Sequence, residues 1–209
     1  MRWYDVFARF YDRSLEALYR AARQETVAAL APERGGLVLD LACGTGQNLD
    51  LLVAAVGPEG RVVGVDLSEG MLRQARRRVA RAGWANVTLV RSDVHAFDAD
   101  TLERASGRRT ADAVLCTLGF TAFPDPEAAF RRSFALLRPG GRYAIMDVHA
   151  DRRTPQTRMV EWIAQADLSR EVWRPLATAV EDFEHRDLPG DPAKLGGRLY
   201  VASGTKPTG

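Results

Sequence analysis

The 209-residue sequence is poor in three residue types that carry much of enzyme chemistry. It has two cysteines (Cys43 and Cys116), two lysines (Lys194 and Lys206) and three histidines (His95, His149 and His185). Two cysteines are too few for a disulfide framework, and no CxxC or Cys/His spacing points to zinc, so no metal site is expected. No stretch approaches the roughly 18 uninterrupted apolar residues of a membrane helix. The opening Met1-Arg2-Trp3-Tyr4-Asp5 lacks the basic and apolar regions of an export signal, which predicts a cytoplasmic protein. Internal repeats and low-complexity tracts are missing too, and disorder is expected only at 205–209.

Charge of one sign is also lacking. Lysine and arginine total 29 against 27 acidic residues, a formal net charge of +2. The one dense basic run, Arg73, Arg76, Arg77, Arg78 and Arg81, alternates with Met71, Leu72, Ala75 and Val79. That spacing reads as the wet face of a helix rather than a nucleic-acid patch. No nucleic-acid partner is expected.

What is present is alternation. Five short apolar runs, starting at Leu37, Val62, Val87, Ala113 and Tyr143, are separated by helical patterns over 48–56, 69–82 and 127–137. Pro124-Asp125-Pro126 and Arg138-Pro139-Gly140-Gly141 supply start and stop signals for the last of these. Repeated strand–helix–strand units predict an α/β, Rossmann-like, mostly parallel sheet with helices on both faces. Two final strands are expected near 179–187 and 198–203, the last of them antiparallel. Residues 1–30 carry an aromatic helical stripe from Trp3 to Tyr19, read as a lid, a docked helix or a membrane-interface anchor. Residues 151–178 read as a helical cap inserted in the main domain, 31–209.

The densest chemistry lies in Asp40-Leu41-Ala42-Cys43-Gly44-Thr45-Gly46-Gln47-Asn48. Gly44 and Gly46 let a backbone turn come close to a ligand at the carboxyl end of a first strand. Asp66 ends the second strand and can accept hydrogen bonds from both ribose hydroxyls. Leu49 stands where a dinucleotide fold needs its third glycine, and no Gly-Lys-Ser/Thr phosphate loop occurs. The turn therefore suits a nucleoside without a diphosphate.

At this point the sequence resembles the class I S-adenosylmethionine methyltransferases, closest to the ubiquinone/menaquinone and phospholipid methyltransferase branch. Asp40 to Gly46 is similar to the family's first motif, Val63 to Leu72 to its ribose segment, Arg91-Ser92-Asp93-Val94 to its adenine segment, and Leu136 to Gly141 to its turn before strand five. Ala42 replaces a glycine often found there. The resemblance implies S-adenosylmethionine as cofactor. Ala42 and Asn48 would be cofactor-binding, Asp40 and the Gly44-Thr45-Gly46 turn would meet its methionine part, with Asp40 facing the ammonium, and Asp66 would hold the ribose. Leu67 and Met71 would sandwich the adenine, with Ser92, Asp93 and Val94 at its edge. Cys116 and Thr117 would lie beside the sulfonium, and Tyr4 and Tyr11 would touch the cofactor from the N-terminal helix.

Methyl transfer to a small, hydrophobic acceptor (a quinone, a natural product or a lipid head group) is the implied reaction. Phe120, Phe123, His149 and Trp162, with Met159 and Trp173, are candidates for its pocket, and His149 is a candidate base. Peripheral membrane contact and a monomer or homodimer fit this reading. A non-catalytic cofactor-binding module is an alternative. An NAD(P) oxidoreductase is a weaker one, because neither lysine makes the Tyr-x-x-x-Lys pair of that chemistry.

Overall fold

The computed structural model describes residues 19–209. Its centre is a seven-stranded sheet: β1 (Leu37–Leu41), β2 (Arg61–Asp66), β3 (Val87–Arg91), β4 (Ala111–Thr117), β5 (Leu137–His149), β6 (Glu181–Asp187) and β7 (Arg198–Thr205). The strand order is 3-2-1-4-5-7-6; β1 to β5 pair in parallel, and β7 runs antiparallel between β5 and β6. The order reverses between β1 and β4, and a crevice at their carboxyl ends is where such sheets bind ligands. Every residue of β1 is buried, as a strand covered on both faces requires.

A helix over residues 19–30, α1, precedes the sheet, followed by α2 (Leu49–Val56), α3 (Glu69–Ala82), α4 (Ala99–Ser106), α5 (Pro126–Ala135), α6 (Pro155–Ala164), α7 (Arg174–Ala179) and α8 (Pro192–Leu195). Side-chain chemistry sets several of their ends. Ser68 accepts from the Met71 amide to start α3, and Gly83, at φ +69°, closes it. Asp125 caps α5, with Pro126 in its first turn.

Two apolar layers enclose the sheet. One joins Leu39, Leu41, Val114, Phe130, Tyr143, Ile145 and Tyr200. The opposite face carries Val27 and Leu30 of α1 on Val38, Leu52, Val62 and Leu115, continued by Tyr19 and Ala22 against Met146 and Val148. Helix α1 is thus docked into the core over its described length. No helix of the described residues is long and apolar enough to cross a membrane.

Some elements differ from the sequence expectations. The stop signal Arg138-Pro139-Gly140-Gly141 lies inside β5. Ala111 pairs with Leu137 and Ala113 with Arg142, so these four residues bulge out of the ladder, with Gly140 at φ +70°. Helix α4 was not anticipated, since its sequence buries only Leu102 and Ser106. The C-terminus departs from the expected disorder at its start. Thr205 ends β7, and Lys206 Nζ donates to the carbonyls of Phe134 (2.8 Å) and Leu137 (2.7 Å).

Candidate active site

The chain leaves β1 through a turn that only small residues can make. Ala42, Gly44 and Gly46 all have positive φ, at +50°, +58° and +82°. A Cβ on Gly46 would stand 2.6 Å from Leu49 Cδ1, whereas one on Gly44 would meet nothing nearer than the Ala42 carbonyl at 3.9 Å. Glycine at 46 serves packing. Glycine at 44 leaves open space.

Asp66, at the end of β2, locks this turn to the next strand. Its carboxylate accepts from the Gly44 amide (2.9 Å) and the Ser68 amide (2.8 Å). Burial raises its pKa, opposed by those N–H donors.

Beneath the turn lies a buried polar cluster. Asn48 Nδ2 donates to Asp40 Oδ1 (2.9 Å) and Thr117 Oγ1 (3.0 Å), while Arg23 Nη1 donates to Asn48 Oδ1 and Thr117 Oγ1, both at 2.7 Å. Asp40 is fully buried, and its second oxygen, Oδ2, has no hydrogen-bond partner. Burial pushes its pKa up to about 7, against the pull of Asn48 and the Arg23 charge. A buried, unpartnered carboxylate oxygen costs free energy unless something positive or donating fills the space beside it.

Arg23 escaped the sequence reading because its partners lie 25 and 94 residues away. A signal existed nonetheless: Tyr19, Ala22, Thr26, Val27 and Leu30 form the buried stripe of α1, and Arg23 sits inside it. An arginine on the apolar face of a helix is there for a partner.

The other expected residues fall into several groups. Leu67 (48% exposed) and Met71 (buried) stand around the start of α3, and Thr45 is buried in the turn. The Ser92 amide donates to the Asp66 carbonyl, which ties the β3 end to the β2 end. Asp93 Oδ1 is held by the amide (2.9 Å) and Nδ1 (2.7 Å) of His95, which keeps its pKa low; Val94 is buried behind it. Burial works against a charged His95, yet the Asp125 carbonyl and Asp93 outweigh it and raise its pKa.

Cys116 is not brought to the cluster. Its side chain is fully buried in the opposite apolar layer, where burial drives the thiol pKa well up. Phe120 is likewise fully buried, edge-on to Phe123 at 5.2 Å, and fills core. Trp162 (66% exposed) and Met159 (48%) are on the outside of α6, so the expected aromatic floor is not one surface. Tyr4 and Tyr11 lie outside the described residues. Among the described residues, no group of three or more His, Cys, Asp or Glu could hold a metal ion.

His149 ends β5 in a separate cluster. Its ring meets Trp173 edge-on at 4.9 Å, and Trp173 in turn contacts His185 (4.7 Å) and Tyr200 (4.8 Å). Two residues earlier, buried Asp147 accepts from the Thr121 amide (3.1 Å) and hydroxyl (2.8 Å), and burial raises its pKa to about 6.

Residues 38–141 match the methyltransferase domain family. The chain is 32% identical over 125 residues to a demethylmenaquinone methyltransferase of Listeria monocytogenes, covering 60% of this chain and 50% of that one. It is 30% identical over 154 residues to that of Shouchella clausii, covering 70% and 62%. The chain belongs to the class I S-adenosylmethionine-dependent methyltransferases. It spans about half the length of the first of these relatives. The fold agrees: geranyl diphosphate C-methyltransferase from Streptomyces coelicolor, solved with S-adenosyl-L-homocysteine, superimposes with a TM-score of 0.73 at 15% identity over 99% of this chain and 98% of that one.

The family's cofactor is S-adenosylmethionine, and the residues present fit it. The bare Asp40 Oδ2 suits an ammonium group, the open side of Gly44 leaves room beside the backbone, and Asp66 ends β2 with a carboxylate that suits hydroxyl donors.

Proposed function

We propose that this protein transfers a methyl group from S-adenosylmethionine to a small-molecule acceptor by in-line displacement. The observation that carries the reading is the Asp40 Oδ2 atom, buried without a partner beside a cationic Arg23 and below an open glycine turn. A pair of opposite charges is what an amino-acid zwitterion requires. Asp40 would take the cofactor's ammonium, Arg23 would face its carboxylate, and Asp66 would accept from the ribose. Leu67 and Met71 would cover the adenine, with Asp93 at its amino edge.

The bound cofactor supplies a methyl group already activated on a sulfonium. The protein's share is alignment and water exclusion, and alignment alone is worth roughly 7–11 kcal/mol in favourable cases. Thr117, tied by Asn48 to the Asp40 cluster, marks where β4 ends and the acceptor side begins. Residues 151–178, which contain α6 and the first turns of α7, would cap that side. The relatives' names support a small acceptor of the quinone type. A natural product or a lipid head group is accommodated by the same chemistry.

Calorimetry with S-adenosylhomocysteine tests the cofactor site. The wild-type protein should bind it and ignore NADH. Asp66→Ala should weaken binding at least tenfold, since it loses two charge-assisted hydrogen bonds of about 1.5–3 kcal/mol each. Unchanged affinity in a folded Asp66→Ala protein overturns the ribose assignment. Transfer of label from methyl-labelled S-adenosylmethionine to a panel of hydroquinones, amines and phospholipids then separates an enzyme from a binding module.

A further inference from the structure

His95 stands between two acceptors. Its Nδ1 is 2.7 Å from Asp93 Oδ1, and its Nε2 is 2.9 Å from the carbonyl oxygen of Asp125. A carbonyl has no proton to give, and the amide and ring of His95 hold the Asp93 carboxyl in its ionised form. Each ring nitrogen can therefore make its bond only as a donor. A neutral imidazole has one N–H, so this geometry is that of the imidazolium.

The ring joins two segments that the sequence keeps apart. The His95 amide donates to the same Asp93 Oδ1 (2.9 Å), Arg132 Nε of α5 donates to the His95 carbonyl (3.1 Å), and Phe123 meets the ring edge-on at 6.1 Å. Asp125 is the residue that caps α5, and its carbonyl also accepts from the Ala129 amide (3.1 Å). The imidazolium thus ties the turn after β3 to the end of the loop after β4. Both hydrogen bonds that the described residues make to the Asp93 carboxylate fall on Oδ1. Oδ2 is left for a donor from outside, on a side chain that is half exposed.

The charged groups around the ring are Asp93 beyond β3, with Asp125 and Arg132 at α5. Burial and the like charge of Arg132 oppose a proton on His95. The Asp125 carbonyl and the Asp93 carboxylate outweigh them and raise its pKa.

We propose that protonated His95 is a positioning residue for the cofactor's adenine: it clamps Asp93 so that Oδ2 meets the amino group, and loss of its proton weakens cofactor binding. This rests on the methyltransferase reading above. When the proton leaves, one of the two ring bonds is lost. The carboxylate is the stronger acceptor and keeps the remaining N–H. The Nε2 lone pair then faces the lone pairs of the Asp125 carbonyl, the ring leaves its seat, and the turn carrying Asp93 is freed from the α5 cap. The gain in affinity is therefore present below the His95 pKa and is lost as pH rises through it. Linkage is reciprocal, so bound cofactor must in turn hold the proton on His95 more tightly.

The test compares S-adenosylhomocysteine binding to wild type and His95→Gln by calorimetry between about pH 5.5 and pH 9. Glutamine keeps a donor at this position but has nothing to titrate. Asp40 ionises in the same range and moves affinity the other way in both proteins. The quantity to read is therefore the ratio of the two affinities, in which Asp40 cancels. Wild type should bind about threefold tighter at pH 5.5, since charge-assisted bonds are stronger than neutral ones, and the ratio should fall to about one by pH 9. Nitrogen NMR of wild type at pH 5.5 should show both His95 ring nitrogens protonated. Saturating ligand should raise the titration midpoint of that ring by about half a pH unit, the same threefold factor seen from the proton's side. A ratio that does not change with pH marks a structural role and overturns the proposal. So does a His95 ring with one proton at pH 5.5, or a midpoint that ligand leaves in place. Failure of both proteins to bind S-adenosylhomocysteine at any pH overturns the methyltransferase reading itself, and the proposal with it.

Discussion

Ala42 shows how one methyl group is accommodated in a turn that favours glycine. At φ +50° an alanine costs roughly 1–2 kcal/mol in the left-handed region. Its methyl is directed at the loop after β4, where a Cβ on Gly119 would lie 2.9 Å from Ala42 Cβ and 2.8 Å from Cys116 Sγ. The room for one residue's methyl therefore comes from the other residue's lack of one. Gly119→Ala should destabilise the protein by about 1–3 kcal/mol through overpacking. Ala42→Gly, which relieves the backbone, should be neutral or slightly stabilising. Combined, they should cost less than Gly119→Ala alone, with a coupling of at least about 0.5 kcal/mol in a denaturant double-mutant cycle. Strict additivity would show that the two methyl positions do not meet.

At the scale of elements, the amino ends of three strands are tied by one carboxylate. Asp112 Oδ2 accepts from the Leu37 amide at the start of β1 (2.7 Å) and from Arg108 (2.6 Å), while Oδ1 accepts from Arg138 in the β5 bulge (2.6 Å). Burial opposes its charge, but Arg108, the Leu37 amide and Arg138 outweigh it and hold its pKa near 2. Asp112→Ala should cost about 2–3 kcal/mol in urea unfolding, because a half-buried acceptor of charged donors is lost. A change below half a kcal/mol would mean that the bulge and β1 are held elsewhere. These ties also mark what the sequence conceals. Strands β1, β2 and β4 and the glycine turn were legible because parallel, doubly covered strands read as apolar runs and the turn's small residues fall in one local motif. The β5 bulge was not, since Pro139-Gly140-Gly141 obeys local turn chemistry while the ladder resumes beyond it. Arg23 at Asn48, Trp173 between His149 and Tyr200, and Cys116 turned into the core depend on contacts between distant segments. The sequence order of α1, α7 and β7 does not encode those contacts locally.

Over the whole molecule, two buried acids oppose folding as pH rises. Asp40 and Asp147 have pKa values raised to about 7 and about 6, from roughly 3.9 in an unfolded chain. Between those limits the folded state holds protons that the unfolded state has lost, so their contribution to stability falls as pH climbs from about 4 to about 7. Asp112 works the other way: its stabilisation is fully present above about pH 4 and is lost as pH falls through about 2. The ligand-free protein should therefore gain from these groups near pH 4–5 and lose that gain by pH 8. A cofactor ammonium at Asp40 reverses part of this, because it requires the carboxylate. The thermal shift produced by S-adenosylhomocysteine should accordingly grow from pH 5.5 towards pH 7 and level off by pH 8. Asp40→Asn should remove that dependence. It should raise the ligand-free stability at pH 8 by about 0.5–2 kcal/mol, the usual gain when a strained site is relaxed, while weakening the ligand at least tenfold. An Asp40→Asn protein that binds S-adenosylhomocysteine as tightly as wild type at pH 8 would show that the ammonium is held by another group.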